Sequence, residues 1–134
     1  MKKVLTVGVF DLLHIGHINL FRNAKSLGEY LIVAVQDSNY VKKFKPSANL
    51  IYNTEERMYI VKSIRFVDDV VPYDSVDNIV HTVDFDILVT GPDQTPQAFQ
   101  EAIRWCKENG KETVTLPRTE GVSSSWLKEQ IEKM

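Results

Sequence analysis

The sequence predicts one α/β domain built on a parallel sheet of five strands. Three observations carry that expectation. Strand and helix patterns alternate from one end of the chain to the other, as they do when parallel strands are joined by crossover helices. The runs Val4-Leu5-Thr6-Val7-Gly8-Val9 and Tyr30-Leu31-Ile32-Val33-Ala34-Val35 are almost continuously apolar, which suits strands covered on both faces. The chain has 134 residues, 43% hydrophobic and 25% charged. That is ordinary for a soluble domain, and one of this size buries roughly two-thirds of its unfolded surface.

Each element has a local cause. After the first strand, Ile18, Phe21, Ala24 and Leu27 recur at helical spacing and predict a helix over 17–27. Gly28 is its expected C-cap, and the run from Tyr30 is the second strand. Residues 36–52 are polar, carry Lys42, Lys43, Lys45 and Pro46, and show little periodicity. They read as a long loop with a helical turn near Tyr40. Asn53 or Thr54 caps the next helix, with Glu55 and Glu56 in its first turn and Met58, Ile60, Val61 and Ile64 on its apolar side. Asp69-Val70-Val71-Pro72 predicts a short strand, and about Ser75 to Val83 a short helix. Ile87-Leu88-Val89-Thr90 is the fourth strand, ending at Gly91-Pro92. A helix over 97–109 turns Phe99, Ile103 and Cys106 inward and stops at Gly110. Thr113-Val114-Thr115-Leu116 is the fifth strand, and a last helix spans 123–133. No repeat, low-complexity tract or linker interrupts the pattern, so residues 1–134 are expected to form one domain.

Charge and cysteine content exclude several classes. The net charge is −2, so no basic surface suggests nucleic acid, and any anion site must be local. Met1-Lys2-Lys3 runs straight into the first strand, without a signal-like or membrane-length apolar run. The lone Cys106 cannot form an internal disulfide, and the expected location is the cytoplasm.

The chemistry concentrates at Gly8-Val9-Phe10-Asp11-Leu12-Leu13-His14-Ile15-Gly16-His17, where a strand ends and a helix begins. A helix start offers unpaired N–H groups and a partial positive charge. Gly16 lets a ligand approach the backbone without meeting a Cβ. Two imidazoles three residues apart on a first turn point the same way. The stretch reads as a polyphosphate cradle with two proton donors. Zinc ligation by the pair would need further ligands, and His81 and Cys106 are far away in sequence.

Arg118-Thr119-Glu120-Gly121-Val122-Ser123-Ser124-Ser125 repeats that logic near the other end. A strand ends, a glycine gives a tight turn, and serines cap an incoming helix. Arg118 offers a planar fork for phosphate oxygens, while Thr119 and Ser123 offer hydroxyls.

Taken with their order and distance, these two motifs resemble the cytidylyltransferase family of the nucleotidyltransferase superfamily. The likeness is strongest to its glycerol-3-phosphate cytidylyltransferases, and it covers 3–131 of the chain. It implies a Rossmann-like, doubly wound sheet of order 3-2-1-4-5 with helices on both faces. The crevice then lies between the first and fourth strands, at their carboxyl ends. It also implies a nucleotidyltransferase that moves CMP from CTP to a phosphorylated small molecule and releases pyrophosphate. His14, His17, Arg118 and Thr119 are the implied catalytic residues, the last two holding the β/γ end of the triphosphate. Gly8, Val9, Phe10, Asp11, Gly16, Gly91, Asp93, Gly121, Val122, Ser123 and Ser124 complete the nucleotide site, with Gly91 and Asp93 facing the cytosine. Asp11 either orients the turn or helps hold Mg²⁺ with the triphosphate. Lys42, Lys45, Arg57 and Arg65 are implied contacts of the acceptor phosphate, and a homodimer is implied too.

The chain departs from that pattern at one place. Gly91-Pro92-Asp93-Gln94 stands where the phosphoglycerol enzymes carry Gly-Asp-Asp-Trp, and Thr95-Pro96-Gln97-Ala98-Phe99-Gln100 also differs. Gln94 and Gln97 suit a more polar acceptor. Glycerol 3-phosphate leads, with a phosphorylated amino acid such as phosphoglutamine or another capsule or wall precursor as alternatives. An ATP-using relative and a non-catalytic nucleotide-binding module are the rival readings. An NAD-binding domain is opposed by the lack of Gly-x-Gly-x-x-Gly after the first strand.

Overall fold

The computed structural model describes residues 1–91, 96–117 and 123–134. The strands β1 (Lys3–Gly8), β2 (Tyr30–Gln36), β3 (Asp69–Tyr73), β4 (Ile87–Thr90) and β5 (Glu112–Thr115) form one sheet of order β3-β2-β1-β4-β5. Every pairing is parallel, as expected. The register sets Val4 beside Leu31 and Ile87, and Gly8 beside Val35. The chain leaves β1 toward β2 and later returns on the other side as β4. Connections after these two strands therefore diverge, which opens a crevice at the carboxyl edge between them.

The apolar runs explain the layers. Successive side chains of β1 leave on opposite faces. Val4 joins a core with Phe10, Phe21, Ala24, Leu31, Val33, Val61 and Val89, under α1 (Ile15–Ser26) and α3 (Thr54–Lys62). Leu5 and Val7 join the other core with Ala34, Ile79, Val80, Phe85, Leu88 and Cys106. Covering that face are α4 (Val76–Thr82) and α5 (Pro96–Glu108). Cys106 is completely buried in this packing.

Three local expectations change. Residues 38–44 form a helix, α2 (Ser38–Phe44), within the stretch expected to be mostly loop. Asp37 caps it by accepting from the Asn39 and Tyr40 amides at 3.1 and 3.4 Å. Tyr40 and Phe44 stack at 4.7 Å across one turn, and Lys42 and Lys43 complement its C-terminal dipole. Gly28 is not a left-handed cap: the C-cap of α1 is Leu27, and among the described glycines only Gly110 has a positive φ. Glycine is required there for close approach: a Cβ at Gly28 would lie 2.7 Å from the Lys2 carbonyl oxygen and 2.8 Å from Val4 Cγ2. The last helix, α6 (Ser124–Glu132), takes Ser123 as its N-cap rather than its first residue. Gly110, by contrast, does take the positive φ, +73°, expected at the end of α5.

Candidate active site

The turn after β1 is tight. Phe10 and Leu12 both adopt left-handed backbone, with φ of 56° and 51°, at a cost of about 1–2 kcal/mol per residue. Packing holds Phe10 there. The buried Phe10 ring meets His17 edge-on at 5.5 Å and Phe21 at 5.2 Å. It also folds back over the end of β1, where a Cβ on Gly8 would lie 2.8 Å from Phe10 Cζ. Gly8 is thus demanded by the ring that carries the turn.

The two histidines cap α1 on each other. The Gly16 amide donates to His14 Nδ1 at 3.0 Å, and the His14 amide donates to His17 Nδ1 at 3.2 Å. This is a capping box with imidazoles in both roles. With each Nδ1 accepting, the proton of each neutral ring sits on Nε2. The rings lie 3.9 Å apart, tilted by 32°. Burial, aided by the charge of His14, pulls the His17 pKa down to about 4. At neutral pH His17 is therefore an uncharged donor through Nε2.

Asp11 lies under this turn with its side chain 3% exposed. It accepts from the Ile51 and Tyr52 amides at 2.8 and 3.1 Å, and Lys128 Nζ stands 2.8 Å from Oδ2. Burial pushes its carboxyl pKa up, but Lys128 and the two amides outweigh burial and hold it below the usual aspartate value. Both oxygens are thus engaged within the protein. Among the described residues no group of three or more His, Cys, Asp or Glu is placed to hold a metal.

Arg57 sits differently from the acceptor contact expected of it. It is completely buried. Its Nε donates to Tyr52 O, one terminal nitrogen to Val9 O and Gln36 O, and the other to Ser38 Oγ and Thr54 Oγ1. All five donors are spent on protein oxygens, so Arg57 braces the ends of β1 and β2 against the start of α3. Arg65 is also displaced from the expected cluster. It is exposed in the turn between α3 and β3, its guanidinium 5.9 Å from the Phe66 ring centre. Nearby, the Asp68 amide reaches Leu31 O at the start of β2, which is the amino edge of the sheet.

Lys42 and Lys45 are exposed at the end of α2. Gly91 follows β4, and a Cβ there would meet nothing within 4 Å among the described residues. Ser123 caps α6 by accepting from the Trp126 amide at 3.0 Å. Ser124 Oγ donates to Asp11 O at 2.6 Å, which ties the second motif onto the first. Asp93, Arg118, Thr119, Gly121 and Val122 lie outside the described residues. Sequence reasoning missed Ser38, Thr54 and Lys128. Lys128 was the one with a signal, because it stands four residues after Ser124 and so shares its helix face.

A parallel sheet whose connections diverge after β1 and β4, with a helix start capped by two histidines at the end of β1, is the arrangement of a nucleotide-handling α/β enzyme. Residues 5–130 match the cytidylyltransferase-like family model, and the chain belongs to that family. It is therefore a CTP-dependent nucleotidyltransferase, the enzyme class expected from its two motifs.

The relatives narrow the comparison. The chain is 38% identical over 136 residues to the glycerol-3-phosphate cytidylyltransferase of Bacillus subtilis (strain 168), covering 98% of each. It is 36% identical to that of Staphylococcus aureus (strain NCTC 8325 / PS 47), covering 98% of this chain and 96% of the other. It is also 38% identical to the bifunctional protein HldE of Coxiella burnetii (strain Dugway 5J108-111), but spans only 27% of it. Among solved structures, the lipopolysaccharide core biosynthesis protein of Thermoplasma volcanium GSS1 superposes with a TM-score of 0.76 at 26% identity, over 90% of this chain and 99% of that one.

Proposed function

We propose that the chain is one catalytic domain that transfers CMP from CTP to glycerol 3-phosphate, giving CDP-glycerol and pyrophosphate. The observation that carries this reading is the end-to-end likeness to two glycerol-3-phosphate cytidylyltransferases. The likeness to HldE spans only part of that protein.

In this reading an acceptor phosphate oxygen attacks the α-phosphorus of CTP in line. A new P–O bond forms, the bond to the β-phosphate bridging oxygen breaks, and pyrophosphate leaves with that electron pair. The acceptor is already an anion, so no strong general base is needed. Catalysis then rests on position and charge. His14 and His17 donate through Nε2 to phosphate oxygens as charge grows, and His17 does so without a net charge of its own. Arg118 and Thr119 hold the β/γ end, and Gly8, Val9, Phe10, Gly16, Gly121, Val122, Ser123 and Ser124 shape the nucleotide side. Gly91 and Asp93 face the base.

Asp11 orients the turn, since its oxygens are engaged by Lys128 and two amides. Mg²⁺, if used, is brought by the triphosphate, whose negative charge it partly neutralises. Lys42 and Lys45 take the acceptor phosphate, in place of the buried Arg57 and the distant Arg65. A homodimer would cover some of the large apolar side chains exposed at Phe44, Ile51 and Tyr59. No helix among the described residues is long and apolar enough to cross a membrane, and the proposed location is the cytoplasm.

The test is pyrophosphate release with each nucleoside triphosphate and Mg²⁺ against glycerol 3-phosphate, a phosphorylated amino acid and other sugar or polyol phosphates. Release with CTP and glycerol 3-phosphate is expected. Release from ATP alone overturns the choice of nucleotide, and preference for another acceptor overturns glycerol 3-phosphate.

A further inference from the structure

The turn after β1 and the loop between α2 and α3 meet at the Asp11 carboxylate, and the cation on that carboxylate comes from α6. Lys128 Nζ is 2.8 Å from Asp11 Oδ2 and donates to the Asn49 carbonyl at 2.7 Å. The same carboxylate receives the Ile51 and Tyr52 amides. One turn earlier on the helix, Ser124 Oγ donates to the Asp11 carbonyl. No described side chain of α6 is buried, so these two polar arms tie it to the fold where an apolar face would otherwise do so. An exposed ion pair contributes little. Here the Lys128 and Asp11 side chains are 22% and 3% exposed, and removing one leaves the other without a partner in a poorly solvated place.

We propose that Lys128 is a positioning residue for the reaction. Through Asp11 and the Asn49 carbonyl it locks the α2–α3 loop to the nucleotide-binding turn, and so holds the acceptor side of the site while α6 is seated. Lys128 touches neither substrate. Its effect reaches the acceptor through the backbone of 45–52, whose first residue is the exposed Lys45. The kinetic consequence rests on the reading of CTP and a phosphorylated acceptor given above; the structural consequence does not.

The test compares Lys128→Met, which keeps the stem and loses the donors, with Lys128→Arg, in the full chain. Steady-state kinetics with each substrate varied should show the acceptor KM of Lys128→Met raised about tenfold, the equivalent of ~1.4 kcal/mol. The CTP KM and kcat should change by less than about threefold. Lys128→Arg should recover most of the loss. Amide hydrogen exchange gives a readout that needs no substrate: Ile51 and Tyr52 should exchange faster in Lys128→Met, while amides in β1 and β2 keep their protection. A lowered melting temperature with unchanged acceptor KM reduces the pair to a structural bridge and overturns the proposal, as do equal rises in both KM values. If the wild-type chain turns over no tested substrate pair, the exchange data decide alone. Faster exchange confined to the loop supports the lock, and unchanged exchange overturns it.

Discussion

His17 is kept neutral first by burial and then by the charge of His14, in the position where it also caps the helix. Its Nδ1 is occupied by the His14 amide and its ring is packed against Phe10, so only the Nε2 proton is left to donate. On the proposed mechanism, replacing either histidine by alanine removes one donor at the growing phosphate charge. His14→Ala and His17→Ala should each lower kcat by about a hundredfold or more, measured as pyrophosphate release. Turnover close to wild type would return that histidine to a capping role alone. The depressed pKa of His17 also has a stability consequence. As pH falls from the ordinary histidine value of 6.5 toward about 4, the unfolded chain takes up a proton that the folded chain refuses. Stability is therefore full above pH 6.5 and declines across that window by about 3 kcal/mol. Urea unfolding from pH 7 to 4 should show that decline in the wild type, beyond any decline seen in His17→Gln. At this scale the sequence was legible in residue type and spacing. The mutual cap and the left-handed Phe10 and Leu12 were not, because a non-glycine residue at positive φ is imposed by packing that no local pattern announces.

The strands were the most legible elements, since a run buried on both faces must be apolar throughout. The segment 36–52 was the least legible, because α2 buries only Val41 and has no apolar stripe to reveal it. Its signals were an Asp cap and an aromatic pair four residues apart, both weak over seven residues. Arg57 failed for a related reason. An arginine on the first turns of a helix looks solvated or ligand-directed until the topology brings three strand-end and loop carbonyls around it. Because it links β1, β2 and α3, Arg57→Met should strand the Val9, Gln36 and Tyr52 carbonyls and destabilise the fold by about 3 kcal/mol or more. Chemical denaturation measures this directly. An acceptor ligand would behave otherwise, leaving stability intact and raising only the acceptor KM.

For the whole molecule, strand alternation made the α/β class legible, whereas the order β3-β2-β1-β4-β5 came from resemblance, since spacing alone does not say on which side of β1 a strand returns. That order places the His14–His17 turn, the end of β4 and the start of α6 on one edge, where a triphosphate and an anionic acceptor can be brought together. The residues after β4 differ in sequence from the phosphoglycerol pattern, so sequence alone left the acceptor the least determined feature. The most direct measurement is ³¹P NMR of the purified chain with CTP, Mg²⁺ and glycerol 3-phosphate. The account predicts the paired diphosphate resonances of CDP-glycerol growing in step with pyrophosphate, and only when both substrates are present. Pyrophosphate without a new cytidine diphosphate ester, or the ester formed from ATP in place of CTP, would contradict it.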